Sequence, residues 1–166
     1  MGGFVSPVLN YALLAPILVI LAGALVGVLV EAFAPRERRA TLQLPITIIT
    51  LLISLFTVIN IRGREAADVA GGSVVYDGGA FLIQLFVLII ALLGTLLIAD
   101  EKNFTAVASA LPGSREEIEA SAAGLRVSEV YPLTLFAVSG MMLFPVSTDL
   151  ITLFVALEML SLPLYL

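Results

Sequence analysis

Glu158 is the one charge inside the last apolar run of the sequence, which opens at Asp149 and reaches Leu166. Nine residues of helix after Asp149 rise about 13.5 Å, close to half of the roughly 30 Å hydrocarbon layer of a membrane. An ionised carboxylate at that depth is costly unless it is paired or wetted. Such a group serves an internal pathway, a proton relay or an ion site, or it ties one helix to another. On a helix, Ile151, Phe154, Val155, Ser161, Leu162 and Tyr165 share its face, and Ser161 and Tyr165 make that face partly polar. Pro163 cannot donate to the Met159 carbonyl and its ring crowds that group, so the helix is expected to bend one turn beyond the acid and to leave a carbonyl for water. A carboxylate, a hydroxyl and a bend within two turns are the minimal hardware of a proton relay. The basic partner such a relay needs is not found among these residues.

The rest of the sequence says which solvent surrounds this site. Of 166 residues, 60% are apolar and 13% are charged, far below the roughly one-quarter charged content of ordinary soluble domains. Water is therefore not the main solvent. The 13 acidic and 8 basic residues leave a net charge of -5 and no cluster of Lys and Arg, which argues against nucleic acid. With no Cys and no His, the chain offers no disulfide, no thiolate, no haem ligand and none of the usual zinc or iron–sulfur ligand sets. It also lacks a Gly-rich strand-to-helix phosphate loop. The chain is expected to bind no flavin, iron–sulfur cluster, nicotinamide or metal, so that any redox centre belongs to a partner.

Crossing a bilayer takes about 20 mostly apolar residues. Phe4 to Val30, Ala40 to Ile61, Gly78 to Ala99 and Val130 to Thr148 are uncharged runs that qualify, and Asp149 to Leu166 opens a fifth. The expected fold is all-α: a polytopic transmembrane helix bundle of about five spans forming a single membrane domain over residues 1–166. The spans are expected near 9–33, 41–61, 79–99, 130–148 and 149–166, with a cytoplasmic loop at 100–128. The sequence stops at Leu166 without polar flank or helix stop, which reads as a piece of a longer chain. The first run is no signal peptide, because Met1 to Val8 has no basic residue and the run far exceeds a signal's roughly 7 to 15 apolar residues.

Basic residues prefer the cytoplasmic side. Placing Arg36, Arg38, Arg39, Lys102, Arg115 and Arg126 inside leaves only Arg62 and Arg64 outside, so the N-terminus is expected outside. Ser114 to Glu117 has the spacing of a capping box and Gly124 suits a stop, predicting a short surface helix, either a docking element or a solvated tether. Val74 to Tyr76 reads as a brief extended piece of the outer loop. Gly23 and Gly27 form a small-xxx-small pattern whose default reading is close helix packing. Pro16, Pro145 and Pro163 fall within or near helix ends, and Gln84 and Asn60 are each expected to make one interhelical hydrogen bond.

The segment Ala156-Leu157-Glu158-Met159-Leu160-Ser161-Leu162-Pro163-Leu164-Tyr165 resembles the fifth-helix motif of subunit N of NADH-quinone oxidoreductase, respiratory complex I. Glu129 to Leu135, Gly140 to Leu143, the turn to Asp149 and Leu150, and Tyr76-Asp77-Gly78 before the third span are similar to that family too. The resemblance implies a fold of about fourteen helices, of which this chain would be the N-terminal third and the start of an antiporter-like fold, ending inside the first of two inverted repeats. It implies a membrane subunit of a proton-translocating NADH:quinone oxidoreductase in a bacterial inner (plasma) membrane, a translocase of electron transport. FMN, iron–sulfur clusters and quinone would be held by partner subunits. Its partners would be other membrane subunits of complex I, the lipid bilayer, and protons and water. In related antiporter-like subunits the helix-five glutamate pairs with a lysine on a later helix; Glu158 matches the first member, every such lysine would follow Leu166, and Lys102 lies in a loop and cannot substitute. The insertion 100–128 is longer and more acidic than that family leads one to expect. Subunits of multisubunit cation/proton antiporters share the glutamate, although Leu162-Pro163-Leu164 speaks for subunit N. A structural or assembly bundle with Glu158 as a passive tie is the reading from another class.

Overall fold

Asn10 opens the first helix by accepting the Leu13 N–H on its side chain at 3.4 Å, which satisfies one of the donors a helix start leaves free. From there α1 (Tyr11–Phe33) runs uncharged to Glu31. The computed structural model describes residues 9–63, 66–100, 113–122 and 128–165. Arg64, Lys102, Gly124 and Arg126, all used in the topology and loop expectations, lie outside the described residues. After an extended Ala34 and Pro35, α2 (Arg36–Asn60) returns antiparallel to α1. The segment to α3 (Gly78–Ile98) holds two-residue strands β1 (Ala67–Asp68) and β2 (Val75–Tyr76), paired antiparallel with Ala67 opposite Tyr76, which is where an extended piece was expected. Asp77 caps α3, its Oδ1 accepting the Ala80 N–H at 2.7 Å.

A short α4 (Arg115–Ala122) occupies the predicted surface-helix position. It is followed by α5 (Val130–Leu143) and α6 (Leu150–Ser161), each ending in a 3-10 turn that carries a proline, Pro145 and Pro163. The helices α1, α2 and α3 have 23, 25 and 21 residues and span roughly 31 to 38 Å, enough to cross a bilayer. With 14 and 12 residues, α5 and α6 are shorter apolar helices.

A polytopic helical bundle results, as the apolar runs predict, with α5 at its centre touching α1, α2, α3 and α6. The core is built by one stripe from each helix: Leu13, Ile17, Ile20 and Ala24 of α1 face Leu51 and Val58 of α2 and Leu135, Val138 and Met142 of α5. The opposite faces stay apolar as well. Phe86, Ile90, Leu93 and Leu97 of α3 and Ile49 and Phe56 of α2 are exposed, the arrangement of helices whose outer solvent is hydrocarbon. Between helices in lipid, association rests on close packing of small residues. Gly23 and Gly27 do that here: a Cβ on Gly23 would run into the Thr50 side chain, and one on Gly27 would come within 2.9 Å of Pro132 Cβ.

Each end of the bundle is closed by polar contacts. At one end Asn10 N–H donates to the Val69 carbonyl at 3.0 Å, Thr148 N–H donates to the Ser73 carbonyl at 3.1 Å, and Val74 bridges to Ser147. The segment 66–77 is thereby pinned across the start of α1 and the α5–α6 turn. The α1–α2 turn and Ser128 meet at the other end. Asn60 departs from expectation: its Nδ2 donates to the Phe56 carbonyl of its own helix at 2.9 Å, because a backbone acceptor one turn back is always within reach of a short amide side chain. Gln84 makes the expected interhelical bond, donating from Nε2 to the Met142 carbonyl at 3.0 Å.

Candidate functional site

The helix that carries Glu158 starts at a strong cap. Asp149 accepts the Thr152 N–H on Oδ1 at 2.7 Å and the Thr152 hydroxyl on Oδ2 at 2.9 Å. Eight residues on from Leu150, the Glu158 side chain is exposed in this chain and lines a cavity of about 470 Å³ between α5 and α6. Phe136 from α5 and Phe154, Val155, Met159 and Leu162 from α6 complete the wall. Of the residues expected to share its face, Phe154, Val155 and Leu162 are thus brought together with it. Glu158 is the sole titratable group on that wall, which is otherwise apolar.

The other predicted site residues are placed differently. Ser161 Oγ donates at 3.3 Å to the backbone carbonyl of Glu158 rather than to its carboxylate. Tyr165 is 84% exposed, with its N–H donating to the Leu162 carbonyl at 3.2 Å. At Pro163 the helix tightens into the 3-10 turn Leu162–Leu164, and the Leu162 N–H still reaches the Glu158 carbonyl. The ring of Pro163 turns away from the acid's cavity. It lines one cavity of about 360 Å³ with Gly94 and Val130 and another of about 700 Å³ with Glu31 and Glu129.

Gly140 decides where Glu158 stands. A Cβ built there would lie 2.7 Å from both the Ala156 carbonyl oxygen and the Leu160 nitrogen, so α5 and α6 touch backbone to backbone on the turn that bears the acid. Only a residue without a side chain permits this approach. A glycine beside Ser139 in the middle of an apolar helix is the signal that points to it.

A second polar constellation lies at the α1–α2 turn. Glu31 Oε1 is 3.2 Å from Arg39 Nη1, Gln43 Nε2 donates to Oε2 at 3.0 Å, and the hydroxyl of Ser128 lies 2.8 and 2.9 Å from the two oxygens. Arg39 also donates from Nε to the Ala34 carbonyl at 2.9 Å. In the sequence Glu31 marks only the stop of a span and Arg39 only a topology signal. The trace that could have found this group is Gln43, an amide one turn beyond Arg39 within the second apolar run. In the opposite end's connection, Tyr76 is 3% exposed and its phenol is pushed up to about 12, first by burial and then by the charge of Asp77. Among the described residues no group of three or more His, Cys, Asp or Glu is placed to hold a metal ion.

No protein-family model matches the chain. Three relatives are similar to it along nearly its whole length, all named NADH-quinone oxidoreductase subunit N. The protein of Acidothermus cellulolyticus is 45% identical over 166 residues, covering 97% of this chain and 32% of that protein. That of Beutenbergia cavernae is 42% identical, covering 98% and 34%, and that of Thermobifida fusca is 41% identical, covering 97% and 31%. The chain spans about a third of the length of these relatives.

Proposed function

This chain is homologous to NADH-quinone oxidoreductase subunit N over about a third of that family's length, and from that premise we propose that the complete protein is a proton-translocating membrane subunit of an NADH:quinone oxidoreductase. Other membrane subunits of the complex are its partners, and lipid surrounds the rest. It sits in a bacterial plasma membrane with its N-terminus outside, carries no redox group of its own, and couples proton movement to redox chemistry in subunits that hold FMN, iron–sulfur clusters and quinone.

The observation that carries this reading is the Glu158 carboxylate, set well along α6 on an apolar cavity with no cation on its wall. A cationic side chain supplied by the remainder of the protein would complete a relay with Glu158. The 3-10 turn at Pro163 and the hydroxyl of Ser161, which sits on the Glu158 carbonyl, shape the end of that helix, and Tyr165, 84% exposed, follows that turn.

Glu158→Gln keeps size and hydrogen bonding and removes titration. In the assembled enzyme, proton pumping falls, and the coupled quinone reduction with it, while the complex still forms. Glu158→Asp is milder, since it keeps the charge and retracts it by one methylene. A glutamine variant that assembles and pumps at the wild-type ratio of protons to electrons would make Glu158 a helix tie. Exchange of cations in vesicles by the complete chain without any NADH dehydrogenase would mark a stand-alone antiporter instead. Orientation is read separately: a Cys placed at Ser114 should resist an impermeant thiol reagent applied to intact cells, and labelling from outside reverses the topology.

A further inference from the structure

Gln43, Thr47, Thr50 and Ser54 stand at i, i+4, i+7 and i+11 of α2, so one stripe of this helix is polar, and all four are buried. Polar side chains buried among membrane helices are ordinarily paired. Ser54 is: its Oγ donates to the Pro16 carbonyl of α1 at 2.9 Å. Gln43 is paired on one side only. Its Nε2 donates to the Gly27 carbonyl at 2.8 Å and to Glu31 Oε2 at 3.0 Å, while Oε1, fully buried, meets no donor among the described residues. Turning the amide over offers no remedy, because it would set the amide oxygen against two acceptors.

Thr47 shows the same shortfall one turn further on. Thr95 and Thr134 fold their hydroxyls back onto the carbonyl four residues earlier, at 2.8 and 2.7 Å, as helical threonines do. Thr47 Oγ1, on a residue that is 0% exposed, meets no partner among the described residues. Two unsatisfied oxygens therefore sit one turn apart on one face, beside an amide that already holds the Glu31 carboxylate. Gly27 packs against that place, since a Cβ there would come within 3.1 Å of Gln43 Oε1. Glu31 itself also faces outward, lining the cavity of about 700 Å³ that it shares with Glu129 and Pro132.

We propose that Gln43 and Thr47 bind water between α1, α2 and α5, and that this water joins Glu31 to the polar stripe of α2 as a hydrated proton inlet separate from Glu158. Water fits the need because it donates to Gln43 Oε1 and both donates to and accepts from Thr47 Oγ1, which gives it the two or more polar partners that a buried water requires. The inlet rests on the reading of the complete protein as a proton-translocating subunit; the hydration does not.

The test uses the complete protein in its assembled complex, with a density map fine enough to show water. At least one water is expected within hydrogen-bonding distance of Gln43 Oε1 and Thr47 Oγ1. Thr47→Val, which keeps the shape and removes the hydroxyl, should lower the melting midpoint and slow translocation several-fold, and Glu31→Gln should slow translocation likewise. If the site is dry, Thr47→Val relieves an orphaned hydroxyl and raises the midpoint, and a map without water there overturns the proposal. Water in place with both variants pumping at the wild-type rate overturns the inlet. Glu158→Gln measured alongside separates the two ideas: if it alone stops translocation, the inlet fails and the Glu158 reading stands, and if Glu31→Gln alone does so, the reverse holds.

Discussion

Gly140→Ala is the smallest change that should move Glu158 without touching it. The new Cβ would lie 2.7 Å from the Ala156 oxygen and the Leu160 nitrogen and 3.1 Å from the Met159 carbonyl carbon. All three are backbone atoms of α6, so no flexible side chain can yield. Restoring an ordinary contact of 3.4 Å requires α6 to retreat by about 0.7 Å, the shortfall at the two closest atoms. Overpacking of this kind costs about 1–3 kcal/mol, and replacing a helical glycine by alanine returns about 0.5–1 kcal/mol, leaving a net loss of up to about 2.5 kcal/mol. Because Glu158 lies between Ala156 and Leu160, its carboxylate shifts by a similar distance. A misplacement near 1 Å costs a reacting group about a hundredfold, so translocation should fall on the order of tenfold. The assay is dye-monitored proton uptake by vesicles holding the assembled complex, together with its thermal midpoint. Gly94→Ala in α3 is the control, since nothing lies within 4 Å of the added carbon; that variant should match or slightly exceed wild-type stability. If Gly140→Ala keeps both the midpoint and the pumping rate of wild type, backbone contact between α5 and α6 does not position the acid.

Two further outcomes follow from the end of the bundle that holds β1 and β2. Tyr76 is buried and its hydroxyl meets no hydrogen-bond partner among the described residues, so Tyr76→Phe should leave the thermal midpoint unchanged or raise it; a fall of several degrees would reveal a partner for the phenol. Asp77→Ala removes the cap of α3 and should cost about 1 kcal/mol of stability, largely recovered in Asp77→Asn, which keeps an oxygen for the Ala80 N–H. Equal midpoints for the alanine and asparagine variants would deny the cap that role.

Much of this molecule is legible in one dimension because membrane burial and helix periodicity act locally. Uncharged runs of 20 residues or more announced α1, α2 and α3, and the small-residue spacing of Gly23 and Gly27 announced a close α1 contact that Thr50 and Pro132 supply. Counting residues from Asp149 was enough to set Glu158 on a helix, and it lies toward the end of α6 (Leu150–Ser161). What the counting cannot convey is which groups meet. Ser161 shares the acid's face, yet its hydroxyl goes to the Glu158 carbonyl, because a local backbone acceptor three residues back is always in reach. Glu31 looked like the end of a span and became a junction only when partners 8, 12 and 97 residues away arrived at it. Likewise Gly140 gained its importance from the line along which α5 crosses α6. A hydrophobic pattern specifies that a helix buries one stripe, but the packing of several helices decides which backbone atoms and which polar side chains that stripe is pressed against.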